Sequence, residues 1–370
     1  MIDFRYHLVS LISVFLALAV GIALGAGPLK EAIGDTLTGQ VEQLRLEKDA
    51  LRDELDTATV DLQQSDAALD SVAPALLDGT LTDRRVAVVQ LGEVAPEVLT
   101  AVTDRLTQAG ASVSATVQVT EAWTDPERRS FRQSLAGTLV GYLDPTPAAD
   151  AGTGTELAEA LAQTLTSADP TNPDVLSEDA AVMLDLLSGD AALISVSGEI
   201  TAPADAIVVL SGPTVSEAEA QLAAEADEAA SVPTDEASAA ADLAAAKLTA
   251  GLQIVAAAQA RSTGAVLAGG DLVETDLLTA LRADDTLSTH LSTVESAQTV
   301  AGQIAIPMAL GSRISGTVGH YGPSADATSP MPPHVVLLPI ERVPAATADA
   351  VVPPTEAAPT DAATADAGQG

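Results

Sequence analysis

The sequence predicts an α/β chain: an N-terminal transmembrane helix, a coiled-coil stalk, then a mostly parallel sheet covered by helices on both faces. Three observations carry this reading. The opening MIDFRYHLVSLISVFLALAVGIALGAGPLK holds no charge between Arg5 and Lys30. An unbroken four-three spacing of seam positions, most of them apolar, runs from Leu37 to Val72. Beyond it, short continuous apolar runs alternate with helical periodicities, the pattern of strands buried on both faces.

The first segment has the dimensions of a membrane span. Leu8 to Gly27 is apolar or small throughout, and a helix of that length covers about 30 Å, the thickness of a hydrocarbon core. A cleaved secretory signal is the alternative. Its basic start is only Arg5 and the amino terminus, and the small-x-small exit Ala17–Leu18–Ala19 lies inside the apolar run, so a retained anchor is expected. Ala17, Gly21 and Gly25 recur every fourth residue, a spacing that lets a second membrane helix approach closely, although such residues are common in membrane helices generally. With single bases at Arg5 and Lys30 the flanks barely set orientation. The short head is expected in the cytoplasm and the bulk of the chain outside it.

The stretch LTGQVEQLRLEKDALRDELDTATVDLQQSDAALDSV places Leu37, Val41, Leu44, Lys48, Leu51, Leu55, Ala58, Leu62, Ser65, Leu69 and Val72 on one seam. Nine of these eleven positions are apolar, which predicts a coiled coil; its 36 residues would reach about 54 Å. Lys48 at an a position is a polar intrusion that fixes register and partner number. Glu47 faces Arg52 across a parallel pair, whereas Asp61 faces Asp66, so the far end is looser. A parallel homodimer is expected, with a single amphipathic helix lying on its own domain as the alternative. Pro74 and Gly79 should end the helix.

Val86 to Leu91 reads as a buried strand. Val94, Val98, Val102 and Leu106 keep helical spacing, Gly110 ends that helix, and Val113 to Val119 is a second strand: one βαβ unit. Further buried strands are expected at Ala206 to Gly212 and Thr263 to Gly270, with helices at Leu243 to Ala260 and Leu272 to Leu281. Asp144 to Thr155, the acidic Ser216 to Asp242 and everything past about Ala345 look uncommitted to the core. The domain plan is therefore an anchor over 1–30, a coiled coil over 37–73, and an α/β domain over 84–344. That domain carries a disordered acidic insert at about 213–242, and a disordered acidic tail follows over 345–370.

Composition excludes several functions. The net charge of −36, from 52 acidic against 16 basic residues, repels nucleic acid and anionic lipid. With no cysteine there is no disulfide, thiolate site or cysteine nucleophile. The first strand is followed by LGEVAPE, with one glycine where a phosphate loop needs several, and LAGGD at Leu267 to Asp271 reads as a turn. No G-x-S-x-G elbow accompanies the four histidines, so the chain is not expected to be an enzyme. MPPH sets Met331 and His334 three apart, but extended prolines separate their side chains by roughly 9 Å, too far to share an ion unless the chain bends. GSRISGTVGHYG, Gly311 to Gly322, presents His320 and Tyr321 between glycines, either as a structural corner or as a binding edge.

FRYHLVSLISVFLALAVGIALG, the heptad helix, AGASVSATVQVT, AGQIAIPMAL and GHYG together resemble, in order from residue 1 to about 340, the mycobacterial copper transport protein B family of actinobacteria. The resemblance implies a cell-envelope protein, in the cell membrane or outer envelope, of copper efflux and homeostasis, described as pore-forming. Copper is the ion it implies, and His320, Met331 and His334 are the candidate ligands. One helical anchor cannot enclose a channel, so conduction requires several copies. The expected partners are the lipid bilayer, further copies of the chain and copper ions, with a cell-envelope protein as partner in the alternative reading: a non-enzymatic coiled-coil adaptor that recruits a cell-wall remodelling protein.

Overall fold

The computed structural model describes residues 4–26, 28–189, 192–212, 235–273 and 276–342, with the side chains of 24–39 and 235–237 left aside. The expected tail, and the acidic insert up to residue 234, lie outside the described residues. Two compact units divide the chain, Met1–Ala68 and Leu69–Gly370.

In the first unit, helix α1 (Phe4–Ala26) contains an apolar stretch, Phe4–Ala23, long enough to cross a membrane and unburied by the rest of the protein. Helix α2 (Pro28–Leu77) continues past the unit boundary and carries the whole predicted seam. Val41, Leu44, Leu51, Leu55 and Leu62 are between 46% and 66% exposed, and Lys48 is exposed as well. A single protomer shows the amphipathic helix and not a coiled coil.

One expectation is corrected here. The helix does not stop at Pro74 but runs through it to Leu77. The reason is tertiary: Ala73 and Leu77 are fully buried, and Leu69 and Leu76 pack beside them. Burial of these groups outweighs the lost hydrogen bond of a proline one turn from the end. Gly79, at φ +73°, is where the chain turns away.

The second unit is built on a seven-stranded sheet. Its strands are β1 (Arg85–Leu91), β2 (Ser112–Val119), β3 (Ile194–Val196), β4 (Ala206–Ser211), β5 (Ala265–Ala268), β6 (Ser292–Val294) and β7 (His320–Tyr321). Their order is β3-β2-β1-β4-β5-β6-β7, all neighbours parallel except β3 on β2. The expected βαβ unit is present, with α3 (Pro96–Gln108) as its crossover. Further helices are α4 (Arg129–Leu139), α5 (Thr153–Thr166), α6 (Glu178–Ser188), α7 (Asp235–Arg261), α8 (Leu277–Ala283) and α9 (Val300–Ile314).

Strand alternation distributes the apolar side chains between two cores. Ala87, Val89, Ile207, Val209 and Leu267 point into one with α4 to α8. Val86, Val88, Val208, Leu210 and Val266 point into the other with α3, α9 and the end of α2. The sheet is thus covered on both faces, as the continuous apolar runs predicted. Helix α7 is apolar enough to pass for a second span, yet it buries Ile254, Val255, Ala257 and Ala258 in the first core. It begins at Asp235, so the last part of the predicted acidic insert is helical. Asp144 to Gly152 is loop, tied down by Gln163, which accepts from the Asp144 N–H (3.0 Å) and donates to the Tyr142 carbonyl (2.8 Å). Thr153 opens α5.

Candidate functional site

In open parallel sheets ligands favour the crevice where strand order reverses, here the carboxyl ends of β1 and β4. There the chain after β1 packs directly against the end of β4. The Gly212 N–H donates to the Leu91 carbonyl at 2.8 Å, and a Cβ on Gly212 would collide with the Glu93 backbone.

The polar site lies instead at the far edge, where GHYG forms β7. Both flanking glycines are demanded by close approach. The Tyr321 ring lies over Gly319, and the Glu295 side chain occupies the space a Cβ on Gly322 would fill, with φ at +148°. Beneath the strand is a connected network. Arg282, in the last turn of α8, donates from Nε to Thr293 Oγ1 at 2.9 Å and pairs through Nη1 with Glu295. These two side chains are 9% and 2% exposed. Ser324 completes the carboxylate, its hydroxyl reaching Oε1 at 2.6 Å and its backbone N–H reaching Oε2 at 3.2 Å. Arg282 Nη2 is buried with no hydrogen-bond partner among the described residues.

His320 closes the network. Its Nε2 lies 3.1 Å from the Ser288 carbonyl and its Nδ1 lies 3.0 Å from Thr293 Oγ1. A carbonyl only accepts, so Nε2 carries the proton, and Nδ1 accepts from the Thr293 hydroxyl. Burial pushes the imidazole below its ordinary value, and the Arg282 charge pushes the same way; the Ser288 bond and Glu295 oppose them. The ring is therefore neutral and fully engaged. Tyr321 is buried against the second core, its phenol raised by that burial and hydrogen-bonded to Ser312.

The remaining predicted residues sit on the segment after β7. Ser329 bridges Tyr321, and Met331 packs against the second core. His334 is exposed and donates from Nε2 to the Asp78 carbonyl at 3.2 Å. The Leu337 N–H donates to Gly79 and Arg84 reaches the Leu338 carbonyl at 2.8 Å, so this strap staples the end of α2 to the start of β1. Among the described residues no three His, Asp or Glu side chains are grouped to hold a metal. In α1, Ala17 is exposed and a Cβ on Gly21 would meet nothing; Gly25 lies one turn on. Arg282, Thr293 and Glu295 were not singled out in the sequence. Their one signal is a lone acid straight after the short β-prone stretch Ser292–Val294, in STVESAQTV.

Comparison with known proteins bears on the same segments. The family described as "Copper transport outer membrane protein, MctB" matches residues 1–332. The proteins named copper transporter MctB of Mycobacterium bovis and of Mycobacterium tuberculosis are each 27% identical to this chain over 337 residues, 89% of this chain and 98% of theirs. The family match starts at residue 1, takes in the apolar helix and the sheet, and passes GHYG. This chain belongs to the MctB copper transport outer membrane protein family.

Proposed function

We propose that this chain is a membrane-anchored envelope protein, not an enzyme, that acts in copper efflux and copper homeostasis as an assembly of several copies. The observation that carries this is the extent of the family match, which begins at residue 1 and takes in both the apolar helix and the GHYG edge. The exposed small residues of α1 and the exposed seam of α2 are the surfaces through which copies would join. Copper is cargo here. Imidazole and thioether suit it, and His320, Met331 and His334 are the proposed ligands. His320 would give up the hydrogen bond that its Nδ1 accepts from Thr293 to bind, and His334 offers Nδ1 while Nε2 donates to the Asp78 carbonyl.

The test is a deletion strain complemented with wild type or with His320→Ala plus His334→Ala. Deletion should lower copper tolerance, wild type should restore it, and the double variant should restore neither tolerance nor copper binding by the purified protein. Copper conductance in bilayers should require the assembled form.

A second reading, an adaptor that recruits a cell-wall remodelling partner, is favoured by one observation: the ring nitrogens of His320 are both spent on internal hydrogen bonds. Unchanged copper tolerance in the deletion strain, together with failed cell separation, would select it.

A further inference from the structure

On the side of the sheet remote from GHYG's core, a cleft of about 390 Å³ opens between α4, α5, α7 and the turn at Glu121–Trp123. That volume falls within the range of small-molecule sites. Its lining is unlike the rest of the molecule. In a chain of net charge −36, the charged residues lining it are Arg129 and Arg132, and no carboxylate lines it.

Arg132 is held in place, donating from Nη1 to the Ala122 carbonyl at 3.1 Å and to the Asp125 carbonyl at 2.5 Å. Burial lowers its pKa, Asp125 opposes this, and the neighbouring Arg129 charge lowers it further. Arg129 is exposed and has no hydrogen bond or acidic partner among the described residues. Two like charges sharing one cleft repel, and a bound anion would relieve both. Gln253 adds a polar group. Its amide lies where a Cβ on Gly154 would stand, at the first turn of α5, and its side chain makes no hydrogen bond among the described residues. Thr124, Gln133, Thr153 and Thr249 also line the cleft, and its apolar wall is Trp123, 4% exposed, with Leu157 and Ala250.

We propose that this cleft binds a small organic carboxylate, its acid group between Arg129 and Arg132 and its apolar body against Trp123, Leu157 and Ala250. The site is independent of the copper reading, using none of its residues.

Trp123 is the single tryptophan of the chain, so selectively excited tryptophan fluorescence reports on this cleft alone. Full-length protein in detergent would be titrated with cyclohexanecarboxylate, which is transparent at tryptophan wavelengths, and with cyclohexanecarboxamide and inorganic phosphate as controls. The carboxylate should give a saturable change at millimolar concentration, with the amide and phosphate weaker by roughly tenfold or more. Arg129→Gln should weaken carboxylate binding about tenfold, and Arg129→Lys should retain most of it. Ala250→Phe, which fills the apolar wall without touching charge, should abolish binding at unchanged melting temperature. No saturable change, equal binding of the amide or of phosphate, or wild-type affinity in Arg129→Gln would each overturn the proposal.

Discussion

At the scale of the residue, Glu295 shows how a buried charge is made tolerable. It is 2% exposed, and Arg282 and Ser324 supply its donors. Removing one member of such a pair leaves the other uncompensated, which is why the surrounding residues are so constrained. Gly322 has no side chain because Glu295 fills that space. His320 lies on the same network and carries a pH prediction. Its folded pKa is below the ordinary 6.5, so below that pH the unfolded chain binds more protons than the folded one. Its contribution to stability is complete above pH 6.5 and is lost as pH falls through the folded value. His320→Gln keeps a donor for the Ser288 carbonyl and does not titrate. The variant should show a flatter melting temperature between neutral and mildly acid pH than wild type, followed by circular dichroism. Equal slopes would mean that His320 does not govern this window.

At the scale of the element, α2 serves two environments with one helix. From Val41 to Leu62 its seam is exposed; from Leu69 onward Leu69, Ala73 and Leu77 pack against the second core while Val72 remains 47% exposed. The heptad reading was legible because apolar spacing is a local property. It failed at Pro74 because proline's cost is local too, whereas the burial that overrides it comes from α3 and α9. The exposed seam carries a prediction. Leu51→Asp with Leu55→Asp should convert a self-associated full-length chain in detergent to monomer by analytical ultracentrifugation, with the melting of the α/β unit unchanged. A wild-type chain that is already monomeric would remove the stalk from the assembly. β1, β2, β4 and β5 were legible as apolar runs. β3, β6 and β7, at three, three and two residues, are too short to leave a period, and only pairing to their neighbours makes them strands.

At the scale of the whole molecule, the boundary of the two units falls at Ala68 and Leu69, inside α2. A chain starting at Leu69 should therefore melt cooperatively and close to the full-length temperature. One starting at Asp78 loses the fully buried Ala73 and Leu77. Leu77 alone is worth about 1.5–3 kcal/mol, so the shorter chain should melt lower, measured by calorimetry. Equal melting of the two would mean that the end of α2 is not part of this core. By itself the sequence determined the apolar span, the amphipathic helix after it, the α/β class and the family likeness, because each rests on composition or on spacing along a continuous stretch. Tertiary structure alone decided that GHYG forms a sheet edge over a buried Arg282–Glu295 pair, that His320 is neutral with both nitrogens occupied, and that two arginines meet Trp123 in a cleft. The groups that complete each of these sites, Ser324 beside Glu295 and Leu157 and Ala250 beside Trp123, lie far along the chain, and burial and hydrogen-bond partners exist only once the fold has brought them together.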